Sequence, residues 1–126
     1  MVVNSILVAL GGFFGAITRY GISIWMKKKK NTTHFPYATY LVNVSGSFLL
    51  GLLSTSGLSQ SAILFAGTGF LGSYTTFSTF KWESLQLWEN QQEKAFLYLG
   101  LHYTIGIICA GIGMFLGTFL LSFDLL

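Results

Sequence analysis

Charged residues are scarce in this chain, and a long central stretch has none at all. Asp, Glu, Lys and Arg make up only 9% of the 126 residues, and residues 31–80 contain none of them. A water-soluble domain needs charge on its surface far more often than this. Because 52% of the chain is also hydrophobic, the composition excludes an ordinary soluble domain and predicts an integral membrane protein.

Carboxylates and cysteines are rarer still. No Asp or Glu precedes Glu83, so the apolar stretches before it hold no acidic group that could bind a substrate cation or carry a coupled proton. The one cysteine, Cys109, cannot form an intrachain disulfide, and we expect it to be a small buried apolar residue. We find no paired carboxylates, no metal-ligand cluster and no nucleophile with a nearby base, so an enzyme is not expected.

Four apolar stretches are long enough to cross a bilayer, which requires roughly 20 apolar residues. They lie at about residues 4–26, 37–57, 62–80 and 95–122. We expect the third to continue as a helix to about residue 91, beyond the bilayer, through a segment that mixes charge with tryptophan. The four stretches use nearly the whole chain, which predicts a single all-α domain over residues 1–126 with any chemistry placed between its helices.

The lysines predict how the chain is oriented in the membrane. Lys27 to Lys30 follow the first span, just before a polar turn at Asn31 to Pro36. Lys81 and Lys94 both lie between the third and the fourth span. The termini and the turn at residues 54–60 carry no lysine. Cytoplasmic loops carry an excess of Lys and Arg. We therefore expect the loop after the first span (loop 1) and the loop before the fourth span (loop 3) in the cytoplasm, and both termini outside the plasma membrane.

Arg19 is the one charged residue expected within a span. A cation at the centre of a membrane helix costs about 2.5–3.5 kcal/mol even on lenient insertion scales, so such residues usually mark a functional site. The alternative is snorkelling, because Arg19 lies about seven residues before the end of the first span and its head could reach the interface. Both interpretations stay open, and a functional Arg19 fits an anion better than a cation.

A polar stripe is predicted along the second span, at Thr39, Asn43, Ser47 and Ser54. Their spacing places them on one face of a helix. The amide and hydroxyl groups could donate hydrogen bonds to an anion that loses its water. They could equally bond to a neighbouring helix.

The third span carries signals for an interrupted helix. Gly67, Gly69 and Gly72 are followed by a run of aromatic, hydroxyl and β-branched residues at 74–80, a composition that weakens helices. A break near residues 72–77 would free backbone carbonyls, which the membrane tolerates only where a cation, water or hydroxyl satisfies them. Phe77 and Phe80 would share a face. Their positive ring edges could solvate an anion, although ordinary packing explains two phenylalanines equally well.

Three motifs resemble those of the Fluc (CrcB) fluoride channels, and the likeness extends over almost the entire chain. Residues 11–20, Gly-Gly-Phe-Phe-Gly-Ala-Ile-Thr-Arg-Tyr, are similar to the first-span signature. Residues 43–51, Asn-Val-Ser-Gly-Ser-Phe-Leu-Leu-Gly, are similar to the second-span signature. Residues 72–80 resemble the interrupted third span, and their Thr-Thr-Phe-Ser-Thr-Phe string is highly specific in this context.

The resemblance implies an antiparallel dimer with two narrow pores and a structural sodium ion at its centre, held by the main-chain carbonyls of Gly72 and Thr75. In that scheme the ring edges of Phe77 and Phe80 face fluoride, and Arg19 makes the vestibule electropositive. Three further polar positions would line the pore: Asn43, which donates to the permeating ion, Ser78 and Thr79. Channels of this kind are passive, so fluoride would leave the cytoplasm down its gradient and its toxicity would fall.

Two features depart from the family pattern. In the fourth span Tyr98 fits the family's tyrosine, but His102 stands where Ser or Asn is expected. Both are possible pore-lining residues, and a packed, hydrogen-bonded core histidine is the alternative for His102. The second departure is the lysine bias, since a homodimer of opposite orientations needs chains that insert both ways. We therefore expect a sister chain of opposite orientation as partner, with a second copy of this chain as the alternative.

Two other classes of protein share the overall properties. A small four-helix, multidrug-type proton-coupled exporter would have the same length and helix count, but it needs a carboxylate in the first span, where this chain has none. A structural membrane subunit without a pore would leave Arg19, Asn43 and the string at residues 72–80 without a role.

Overall fold

The computed structural model describes residues 1–29 and 35–124, and these form helices and turns with no strand among them. Helix α1 covers Val2–Lys29 and α2 covers Tyr37–Thr55. Helix α3 consists of the consecutive segments Gln60–Ala62, Ile63–Leu71 and Gly72–Tyr74. Helix α4 covers Phe77–Asn90 and α5 covers Gln92–Asp124. Most of the polar turn expected at Asn31 to Pro36 lies outside the described residues, as does Lys30.

Three of these helices are long and apolar enough to cross a membrane among the described residues: α1, α2 and α5 as far as Phe123. Helices α1 and α5 contain their predicted spans and continue two or three residues beyond the predicted ends. Helix α2 begins where predicted but ends at Thr55, two residues before the predicted end. The expectation of an all-helical, multi-pass membrane protein is confirmed at this level. The third predicted span corresponds to α3 and the start of α4, which together form one interrupted helix.

The interruption lies between Tyr74 and Phe77, inside the predicted range 72–77. Thr75 and Thr76 are extended there, with φ and ψ of −80° and 161° and of −148° and 124°. Thr76 caps α4, because its hydroxyl oxygen accepts a hydrogen bond from the backbone N–H of Thr79 at 3.3 Å. The segment Ile63–Leu71, earlier in α3, has π-helical geometry, which the sequence did not indicate. Where π-helical turns occur in proteins, they are frequently found at functional sites.

Glycines bring the helices into backbone contact in two pairs. On α1, Gly11 and Gly15 lie against the backbone of Phe65 and Phe70 in α3. On α5, Gly113 lies against the backbone of Phe48 in α2. These close approaches are what small residues at GxxxG spacing permit in lipid. They place α3 beside α1, and α2 beside α5, with the interrupted region between the two pairs.

Two small clusters of buried side chains stand on either side of the break. Before it, Val42 of α2 packs with Leu71 and Tyr74. After it, Phe80 and Leu87 of α4 pack with Ala95 and Tyr98 of α5. The break is therefore held by packing on both sides.

The contact at Gly113 leads to a prediction about stability. Gly113→Ala is expected to lower the free energy of unfolding by about 1–3 kcal/mol, because the new Cβ would meet backbone atoms of Phe48 and Leu52 that cannot rotate away. Thermal unfolding in detergent measures the effect. Gly111→Ala is the matched control on the same helix, since a Cβ there meets nothing within 4 Å. Equal losses in the two variants would contradict this account of the packing.

Candidate functional site

The break opens onto a cleft of about 310 Å³ between α2 and α3. Its lining combines polar groups with small and apolar residues, namely Asn43, Gly46, Ser47, Leu50, Gly67, Leu71, Gly72, Thr75, Thr76 and Phe77. Four of the predicted site residues line it: Asn43, Gly72, Thr75 and Phe77. Ser47 of the polar stripe and Gly67 border it as well, so the cleft brings together part of the predicted site.

Asn43 pairs with the backbone at the break. Its Nδ2 donates to the carbonyl oxygen of Thr76 at 2.9 Å, and its Oδ1 accepts from the N–H of Thr76 at 2.8 Å. The side-chain amide thus gives the Thr76 N–H the acceptor that a continuous helix would have provided, and it adds a donor to the carbonyl of this N-cap residue. Buried backbone groups without a partner cost about 1–3 kcal/mol each, so this pair of bonds stabilises the break.

Of the other members of the polar stripe, one bonds to a neighbouring helix and two bond within α2 itself, which neither possibility considered from the sequence described. Thr39 donates to Oε1 of Glu83 on α4 at 3.0 Å, and so, like Asn43, it bonds to a neighbouring helix. Ser47 and Ser54 donate to carbonyls of their own helix, those of Asn43 at 2.8 Å and Gly51 at 2.7 Å. A serine bonded in this way keeps its oxygen lone pairs free but has no proton left to donate.

Arg19 contacts the break from the other side. Its Nη1 donates to the main-chain carbonyl of Thr75 at 3.1 Å, and the residue is partly buried. The guanidinium therefore lies among protein groups, which favours the functional interpretation of Arg19 over snorkelling. One lone pair of the Thr75 carbonyl is engaged by this bond, and the second remains available.

Phe77 and Phe80 form a ring pair with centroids 6.0 Å apart and an interplanar angle of 50°. Their surroundings differ strongly, because Phe77 is 68% exposed whereas Phe80 is only 6% exposed. The expectation that the two share a face agrees with this contact. Only Phe77 borders the cleft, so one member of the pair is presented outward and the other is fixed in the protein.

Ser78 and Thr79 lie on the exposed first turn of α4. The Thr76 hydroxyl connects them, since its oxygen lies 3.4 Å from the Ser78 oxygen and 3.1 Å from the Thr79 oxygen. Three hydroxyl groups therefore cluster directly after the break. They are close to Phe77 in the chain and face outward with it.

Tyr98 and His102 are buried behind Phe80 rather than exposed on the surface of the chain. Tyr98 is fully buried and His102 is 9% exposed. The His102 ring lies 4.3 Å from the Phe80 ring, centroid to centroid, and 4.4 Å from the Tyr98 ring. His102 also approaches Asn43, with Nε2 and Nδ2 at 3.4 Å. The two residues thus connect the ring pair to the amide at the break.

Glu83 belongs to the same hydrogen-bonded network as Tyr98, although the sequence indicated only a charge in the segment beyond the third span. Its Oε2 accepts from the Tyr98 hydroxyl at 2.8 Å, and Thr39 bonds to its other oxygen. Glu83 lies beyond the predicted span at 62–80. The pKa of its carboxyl is raised above its ordinary value, because the effect of burial outweighs the lowering by the bonds from Tyr98 and Thr39 and by the charge of Lys27. The spacing 80, 83, 84 and 87, which puts Glu83 on the buried face of α4, was the available signal.

This combination of fold and site defines a class: an all-helical, multi-pass membrane protein with a polar interruption in one helix and no carboxylate among its cleft residues. A match to the family described as CrcB-like protein, Camphor Resistance (CrcB), covers residues 6–114. The chain belongs to the Fluc (CrcB) family, and the resemblance noted from its three motifs is thereby confirmed.

Proteins from several bacteria are similar to nearly the whole chain. A protein of Bacillus thuringiensis subsp. konkukian named fluoride-specific ion channel FluC 2 is 53% identical over 116 residues, which cover 91% of this chain and 98% of that protein. A Listeria innocua protein named fluoride-specific ion channel FluC 1 is 52% identical over 118 residues, 93% of this chain and 99% of its own length. A Geobacillus kaustophilus FluC 1 is 46% identical over 113 residues, 89% of this chain and 96% of that protein.

Proposed function

We propose that this chain is the subunit of a fluoride-selective channel that exports cytoplasmic fluoride passively across the cell membrane. The observation that carries the proposal is the interrupted helix, where Asn43, Thr75 and Phe77 converge on one cleft. The names of the relatives, which describe fluoride-specific ion channels, support it. An inside-negative potential favours anion exit by about 2.3 kcal/mol per 100 mV.

The chemistry of the cleft suits a small anion better than a cation. Its lining contains no carboxylate, and Phe77 presents an exposed ring beside it. Aromatic edges carry partial positive charge and attract anions without a formal cation. The hydroxyls of Ser78 and Thr79 at the start of α4 supply further donors close to the same ring. The guanidinium of Arg19 adds positive potential behind the break.

The carbonyls at the break also fit a structural sodium ion. In a continuous helix the Gly72 carbonyl would accept from Thr76 N–H, but that amide bonds to Asn43 instead. Thr75 keeps one lone pair beyond its bond from Arg19. Hard cations prefer oxygen ligands, and two carbonyls are too few to surround one. Sodium at Gly72 and Thr75 therefore requires a second chain that contributes the same pair.

The proposed assembly is an antiparallel dimer of four-span chains, with loops 1 and 3 of this chain in the cytoplasm and both termini outside. The large exposure of Phe77, which is 68%, supports a partner that covers the cleft. The lysines favour one orientation of this chain, which favours a sister chain as that partner. The relatives' names carry the numbers 1 and 2, in keeping with organisms that encode two such chains.

Fluoride efflux from liposomes tests the proposed function. The purified chain is reconstituted alone, and in parallel with any sister chain encoded beside it, in vesicles loaded with fluoride. A fluoride electrode records release after an ionophore relieves the charge imbalance. We expect rapid efflux of fluoride and none of chloride from at least one preparation. Vesicles without protein provide the baseline, and release no faster than that baseline from both preparations would reject the channel.

A further inference from the structure

The hydrogen bonds of His102 define which of its ring nitrogens carries the proton. Nδ1 lies 3.2 Å from the carbonyl oxygen of Tyr98, and a carbonyl can only accept. This contact assigns the proton of the neutral ring to Nδ1. Nε2 is then left with a lone pair, and it faces Nδ2 of Asn43 at 3.4 Å.

The same reasoning fixes the orientation of the Asn43 amide. Its Oδ1 must face the N–H of Thr76, because only an oxygen can accept there. The two hydrogens on Nδ2 then point to the Thr76 carbonyl and to His102 Nε2. Both donors of the amide and its oxygen are committed within the chain. A direct bond from Asn43 to a permeating anion would require one of these partners to be released.

His102 also fixes the aromatic side of the site. Its ring is tilted 35° to the Phe80 ring at 4.3 Å and meets Tyr98 and Tyr40 edge to face, at 4.4 and 5.2 Å. Aromatic contacts at these separations stabilise an arrangement beyond the burial of the rings alone. One buried side chain therefore touches the buried member of the ring pair and the amide that holds the break.

We propose that His102 is a positioning residue for conduction: its Nε2 lone pair accepts from Asn43 and orients the amide that holds Thr76, while its ring fixes Phe80. This inference rests on the proposed fluoride channel and deepens it. His102 need not touch the ion. It links α5 to the break through α2: the His102 ring bonds to the Tyr98 carbonyl on α5 and to Asn43 on α2, and Asn43 bonds to Thr76 at the break.

A second proton on His102 would break this link. Nε2–H would then face Nδ2–H, so the bond from Asn43 would be lost, and the backbone of Thr39, which also interacts with the ring, would offer the imidazolium an acceptor in its place. The amide of Asn43 would then no longer be held by His102. The titratable groups around His102 in the described residues are Tyr40 on α2, Tyr98 on its own helix, and Glu83 on α4, which bonds to the Tyr98 hydroxyl. Because protonation would remove the Nε2 lone pair that accepts from Asn43, we expect conduction to fall on acidification.

Two variants separate the acceptor from the volume of the ring. His102→Gln offers a carbonyl oxygen near the position of Nε2 that does not take up a proton, whereas His102→Leu offers none. With fluoride efflux as readout, we expect His102→Leu to be slower by roughly tenfold to a hundredfold, as for misplaced site groups. His102→Gln is expected to stay near wild type at about pH 7.5 and to lose the decline that wild type shows at about pH 5.5. Protein-free vesicles at each pH correct for leakage of hydrogen fluoride.

A readout independent of transport tests the hydrogen-bond assignment itself. Solid-state NMR of isotope-labelled histidine in bilayers distinguishes the two neutral tautomers, and a His34→Asn background leaves His102 as the only label. We expect the Nδ1-protonated tautomer at neutral pH. In the Asn43→Leu background, which removes the donor to Nε2, we expect the Nε2 signal to shift.

The outcomes distinguish this inference from the proposed function. Fluoride efflux by wild type together with an Nε2-protonated His102, or with a His102→Leu variant as fast as wild type, would overturn the positioning role alone. The same pH profile in wild type and His102→Gln would overturn it as well. If wild type releases no fluoride at either pH, alone or with a sister chain, the channel proposal fails, and the role of His102 in conduction fails with it. Size-exclusion elution and helical circular dichroism identify a variant that has merely misfolded.

Discussion

Replacing Phe80 is expected to remove fluoride efflux entirely. Phe80 is 6% exposed and its ring contacts those of Phe77, Tyr98 and His102 at 6.0, 5.4 and 4.3 Å. Phe80→Ala would remove the ring that we propose faces the anion together with Phe77, and it would leave a cavity that costs about 3–5 kcal/mol. Both fluoride release from liposomes and thermal unfolding in detergent should show the change.

Phe80→Leu separates conduction from stability. Leucine retains much of the apolar volume, so we expect a folded chain that loses only about 1–2 kcal/mol. It has no ring edge, however, and the attraction for an anion disappears. We therefore expect Phe80→Leu to fold and still fail to release fluoride. Phe115→Leu is the matched control, because Phe115 is 70% exposed on α5 and, in the part of the chain that the structure describes, its ring pairs with that of Phe119 alone.

Efflux by Phe80→Leu at the rate of wild type would show that the ring serves packing alone. The ring pair would then be an ordinary aromatic contact, the alternative left open by the sequence. Efflux lost in Phe115→Leu as well would indicate a general sensitivity to aromatic loss. Only the selective result supports a role of Phe80 in the ion pathway.

The spans and the break could be predicted because they depend on local composition. A run of apolar residues identifies a membrane helix wherever its partners lie, so α1, α2 and α5 correspond to predicted stretches. The ends of the helices were predicted less accurately, and α1 extends through Lys29. A helix can continue through lysines beyond the apolar core, because their long side chains carry the charge out to water. The break at Thr75 and Thr76 follows from glycines and β-branched residues, whose weak helix propensity is also local.

The partners of the site residues could not be predicted, because they depend on packing between distant segments. The stripe on α2 placed Asn43 on a face but did not show that its amide would bond to Thr76, 33 residues away. Glu83 and His102 illustrate the same limit: each acquires its role through a partner on another helix. The π-helical geometry of Ile63–Leu71 likewise has no signature in hydrophobic periodicity.

Replacing Asn43 by leucine is expected to disturb the break itself. The two side chains have similar volume, but leucine leaves the N–H of Thr76 without its acceptor and removes one of the donors to the Thr76 carbonyl. At about 1–3 kcal/mol for an unpaired buried N–H, the interrupted backbone would lose much of its advantage over other local conformations. We expect fluoride release to be abolished and the Thr76 amide to exchange with solvent far faster, measured by hydrogen exchange.

Asn43→Asp and Ser54→Ala show which property of Asn43 matters. Aspartate can still accept from Thr76 N–H, but it cannot donate to the Thr76 carbonyl or to His102, and it brings negative charge to the cleft. We therefore expect Thr76 exchange between those of wild type and Asn43→Leu, with fluoride release still absent because like charges repel. Ser54→Ala, on the same helix, removes a hydroxyl that bonds only to Gly51, so release should persist. Normal release by Asn43→Leu, with slow Thr76 exchange, would mean that the break holds without the amide and that Asn43 is not what shapes the pathway.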